Sequence, residues 1–117
     1  MSSFSLTDET AIDVLIFWIE SSDGTISYSE QKAVQDVLSS MKYTMKTFNQ
    51  TISHLGALST EHLKEVEAEA IQYVKKHFSD EGKRLTYQLL YSVASSDGTP
   101  STEEKKKLEH LQNELGL

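Results

Sequence analysis

A chain of 117 residues with a formal net charge of −7, 38% hydrophobic and 25% charged residues, is sized for one core and mixed enough to fold around it. The acidic balance argues against a reader of phosphate backbones, because the one lysine run, Lys105-Lys106-Lys107, is hemmed by Glu103, Glu104 and Glu109 and reads as a solvated helix face. With no cysteine, disulfides, thiolate catalysis and cysteine-based zinc sites are excluded.

The apolar spacing is helical almost throughout. In the first segment Ile12, Leu15, Ile16 and Ile19 fall at i, i+3, i+4 and i+7 behind Thr7 as N-cap. Val14, Phe17 and Trp18 widen that face until the helix is apolar nearly all round, which predicts a central core helix ending near Ser21-Ser22-Asp23-Gly24. A second helix is expected from Ser27, burying Val34, Val37, Leu38 and Met41. A third runs from about Thr44 to Leu55 with Met45, Phe48, Ile52 and Leu55 inward, and Gly56 as its C-cap. The fourth starts at Ser59 or Thr60 and carries Leu63, Val66, Ala70 and Val74 to about Phe78. Ser79 caps a fifth with Leu85, Leu89, Leu90, Val93 and Ala94 inward, and the last begins at Ser101 and presents Leu108, Leu111 and Leu115. The predicted architecture is all-α, a compact bundle of about six helices forming a single domain over 1–117.

Ser-Ser-Asp-Gly-Thr occurs twice, at Ser21 to Thr25 and Ser95 to Thr99, and a constant offset of 74 residues carries the match outward. Leu15 pairs with Leu89, Ile16 with Leu90, Phe17 with Tyr91 and Ile19 with Val93; beyond the turn Ser27 pairs with Ser101 and Glu30 with Glu104. The repeat units span about 11–41 and 85–115, so a pseudo-twofold design is expected. Gly24 and Gly98 can take the positive φ that reverses a chain after a helix, and Asp23 and Asp97 can bond backbone N–H groups two residues on. Ser27 with Glu30, and Ser101 with Glu104, spell the S-x-x-E capping box.

The same residues admit a sharper reading. In an EF-hand register Asp23 and Gly24 take the fifth and sixth positions and Glu30 the twelfth; Asp97, Gly98 and Glu104 do the same in the second copy. The first position, however, is Ile19 or Val93, which offers no oxygen, and Pro100 stiffens the second loop. Two readings stand: a turn and a cap without metal, or a weak site for calcium or another divalent cation at Asp23, Glu30, Asp97 and Glu104.

An apolar helix running into Ser22-Asp23-Gly24-Thr25-Ile26-Ser27-Tyr28-Ser29-Glu30, with a looser copy from Ser96 to Glu104, resembles the TerB-like (tellurite resistance B) family. It is also similar to the TerB-type domain of DjlA-like membrane-anchored co-chaperones. The resemblance implies an all-α bundle of pseudo-twofold design acting in stress responses and metal-linked complexes near the membrane. It also marks Asp23, Glu30, Asp97 and Glu104 as the positions to test.

Other chemistry has little to work with. His54, His62, His77 and His110 are scattered without an H-E-x-x-H pair, and no nucleophile elbow, P-loop or dinucleotide fingerprint is present. The acid pairs Glu65/Glu69 and Asp80/Glu81 read as solvated, and Trp18 as core. The longest apolar run, Val14 to Ile19, falls far short of the roughly 20 residues a membrane span needs, and Met1 to Ser5 lacks the features of a signal peptide. The expectation is therefore a cytoplasmic, non-catalytic protein-binding module with no required cofactor, serving a protein partner or a membrane-associated complex.

Overall fold

A computed structural model of the chain describes residues 6–20, 45–95 and 99–117, with positions 32, 35, 36 and 39 between the first two stretches. The described residues form five helices and no strand: α1 (Asp8–Glu20), α2 (Met45–Gly56), α3 (Thr60–His77), α4 (Asp80–Ala94) and α5 (Thr102–Leu115). The helix expected from Ser27 to Met41 lies largely outside them. Within it Lys32, Gln35, Asp36 and Ser39 are helical and exposed, spaced as one polar face.

The starts of these helices are written locally. Ser59, Ser79 and Ser101 are extended N-caps whose hydroxyls accept from the amides of His62, Gly82 and Glu104. Thr7 opens α1 the same way, accepting from the Thr10 amide at 3.2 Å while its own amide donates to the Thr10 hydroxyl at 2.7 Å. The ends follow no single rule. Gly56, expected as a left-handed cap, is the last helical residue of α2 and has no positive φ; the turn closes instead through Ala57 N–H to His54 and Leu58 N–H to Leu55. The left-handed glycine is Gly116, at φ 72°, which lets the Leu117 amide reach back to the Gln112 carbonyl at 2.9 Å.

α1 is the axis of the bundle and packs against α2, α3, α4 and α5. Ala11, Ile12, Val14, Leu15, Ile16 and Ile19 are all buried, so the helix is covered on every side, as an apolar stripe wider than one face requires. Around it stand Phe48 and Leu55 of α2, Val66, Ala70 and Val74 of α3, Leu90 and Val93 of α4 and Leu111 of α5. Each fully buried Ile or Leu contributes about 1.5–3 kcal/mol of transfer free energy. α5 also packs on α3 and α4, whereas α2 makes its main packing on α1 alone.

One inward assignment fails. Leu85, placed on the core face of α4, is 52% exposed. It lies at the edge of a stripe centred on Thr86, Leu89, Leu90 and Val93, and stays more than half exposed there.

Candidate functional site

The first Asp-Gly turn, with Asp23, Gly24, Ser27 and Glu30, lies outside the described residues, as do Asp97 and Gly98 of the second. Ser101 and Glu104 are described. The Glu104 amide donates to Ser101 Oγ at 3.2 Å, and the Ser101 amide donates to Glu104 Oε1 at 2.8 Å, a complete capping box at the start of α5. Pro100 before it is buried. On the other side of the turn Ser95 caps α4, its amide donating to the Tyr91 carbonyl at 2.9 Å. The Ser95 hydroxyl is buried without a hydrogen-bond partner among the described residues.

Three features escaped the sequence. The first is a groove of about 320 Å³ between α1, α3 and α5, with Trp18 and Ile71 on its walls and Lys64, Glu67, His110 and Glu114 around them. Trp18 packs against the core but is only partly buried, and it lines this groove. Lys107 is not a merely solvated lysine either. Its ammonium donates to the Trp18 carbonyl at 2.5 Å and sits 5.8 Å from the centre of the Trp18 ring. α1 has no basic residue in its last turn, so a cation from α5 reaches one of its last four carbonyls and complements the helix dipole. His110 meets the indole edge-on at 6.3 Å. Burial pushes the Glu67 carboxyl above its usual range, against the downward pull of Lys107 and Lys64. Lys75 and Glu114 lie 3.7 Å apart at the rim, an exposed pair worth about 0–1 kcal/mol.

The second feature is an aromatic ledge. Tyr87 and Tyr91, one turn apart on α4, have ring centres 6.4 Å apart, and Tyr91 is 50% exposed. Together with Leu108, Gln112 and the exposed Leu117 they flank an open groove of about 500 Å³ between α4 and α5. Tyr87 packs partly against the core, while Tyr91 and Leu117 leave apolar surface exposed beside it.

The third is Asp13, fully buried in the middle of α1. Burial raises its carboxyl from 3.8 to about 7; the charge of Glu9 pushes the same way, and a hydrogen bond from Thr51 opposes. The signal was in the sequence: a helix apolar nearly all round leaves no wet face for an Asp at position 13.

Among the described residues, no group of three or more His, Asp or Glu is placed to hold a metal ion, and no helix is long and apolar enough to cross a membrane. A family model described as tellurite resistance protein TerB matches residues 9–117. No curated protein and no solved structure matches the chain.

Proposed function

The chain belongs to the tellurite resistance protein TerB family, and from that premise we propose that it is a non-catalytic helical interaction module working in a bacterial stress-response or membrane-associated complex. The observation that carries the reading is the Tyr87–Tyr91 ledge with Leu117 beside it. Tyrosine combines a large rigid apolar face with a polar tip at low entropic cost, and it is enriched where proteins bind each other. Trp18 is the weaker anchor of the two surfaces, because Lys107 and His110 already engage its ring.

The test is a photo-crosslinking amino acid placed at Tyr91 in cells of the native host, with the same probe at the exposed Glu65 of α3 as control. A discrete adduct with another protein at position 91, absent at 65, supports the module. No adduct, equal adducts at both positions, or an adduct only between two copies of the chain contradicts it.

The cation alternative rests on Asp23, Glu30, Asp97 and Glu104 as ligands. Of these Glu104 already spends one carboxylate oxygen on the Ser101 amide.

A further inference from the structure

Asp13 has no surface in contact with solvent, and a carboxylate so placed is costly unless donors surround it. Few do. The Thr51 hydroxyl of α2 lies 3.4 Å from Asp13 Oδ2 and 3.0 Å from the Thr47 carbonyl oxygen, and it has one proton to give. That proton is shared between the two, with the shorter contact to the carbonyl. Asp13 Oδ1 has no hydrogen-bond partner among the described residues. Among the described residues, the ionised side chain therefore has as donor only a shared hydroxyl proton at 3.4 Å.

Protonation reverses the contact. A neutral Asp13 donates its O–H to Thr51 Oγ1, which passes its own proton on to the Thr47 carbonyl, so two hydrogen bonds run in one direction from α1 into α2. α2 depends on this interface more than any other described helix, because its main packing is on α1, through Phe48, Thr51 and Leu55.

We propose that Asp13 is a proton-operated latch on α2: the protonated carboxyl ties α2 to α1 through Thr51 and Thr47, and its ionisation loosens α2 and uncovers the apolar surface beneath Phe48 and Leu55. Among the described residues the other charged groups around it are few. Glu9, one turn earlier on α1, disfavours ionisation. α2 carries Lys46 and His54, both exposed. The buried faces of α3, α4 and α5 consist of apolar residues and Thr86 and bear no ionisable group. With the carboxyl held near 7 in the folded chain against 3.8 in an open one, the stability the closed latch contributes is fully present below about pH 4 and is lost as the pH rises through about 7.

The experiment is NMR titration of the full chain from pH 5 to 9, following the Asp13 carboxyl carbon and the amides of Phe48, Thr51, Ile52 and Leu55. The Asp13 carbon and the α2 amides are expected to share one midpoint near pH 7. Asp13→Asn abolishes the amide transition, while His54→Gln leaves it in place and so separates the latch from a titrating histidine on α2 itself. Thr51→Val, which removes the relay and keeps the shape, shrinks its amplitude, and this variant decides the matter if Asp13→Asn does not fold. An Asp13 midpoint in the ordinary carboxylate range overturns the latch. So do α2 amides that do not follow Asp13, a transition lost with His54, or an undiminished amplitude in Thr51→Val.

Discussion

α1 and α4 are the two copies of one repeat, offset by 74 residues, and they live in different places. Four equivalent pairs are buried in both: Ile12 and Thr86, Leu15 and Leu89, Ile16 and Leu90, Ile19 and Val93. That shared stripe is what the local pattern encodes. Other pairs diverge. Ala11 and Val14 are sealed, whereas their counterparts Leu85 and Gln88 face solvent, and half-buried Phe17 corresponds to half-exposed Tyr91. α1 has neighbours on every side; α4 packs on α1 and α5 and keeps one flank open. The repeated pattern thus appears once as the buried axis and once as a helix with an exposed flank.

Reciprocal exchange breaks the comparison most sharply. Val14→Gln puts an amide into a sealed site and should cost about 3 kcal/mol or more, while Gln88→Val should stay within about 0.5 kcal/mol; chemical denaturation reads both. The smaller exchange follows the same logic. Ala11→Leu overpacks the axis and should cost about 1–3 kcal/mol, while Leu85→Ala on the open flank should cost under about 1 kcal/mol. Equal costs within either pair would mean that both helices are enclosed alike. Lys107→Met tests the end of α1, removing the charge at the Trp18 carbonyl and over its ring; a loss of about 1 kcal/mol with a change in Trp18 fluorescence is expected. The weakest expected effect is that of calcium. At millimolar concentration it should leave Tm unchanged, and a rise abolished by Asp23→Ala or Asp97→Ala would establish the cation reading instead.

Helix type and helix starts were legible because both depend on neighbours in sequence: the spacing of Val66, Ala70 and Val74, and serines 59, 79 and 101 before their helices. What covers a helix is not local. Periodicity assigned Leu85 to an inner face, yet the folded chain leaves it 52% exposed. Lys107 was read with its charged sequence neighbours, yet its partner is Trp18, 89 residues away. The burial of Asp13 was legible in the all-round apolar pattern of α1, but its partner Thr51 belongs to another helix. The Asp-Gly turns that gave the family away lie largely outside the described residues, so of that motif only the Ser101–Glu104 box is seen in place.

Site-resolved hydrogen exchange tests the central claim most directly, because amides of a helix enclosed on all sides exchange only when the whole domain opens. The amides from Leu15 to Ile19 are predicted to exchange with the free energy of global unfolding, and those from Gln88 to Ser92 through smaller local openings. Equal protection of the two helices, or stronger protection of α4, would contradict the assignment of α1 as axis and α4 as open flank.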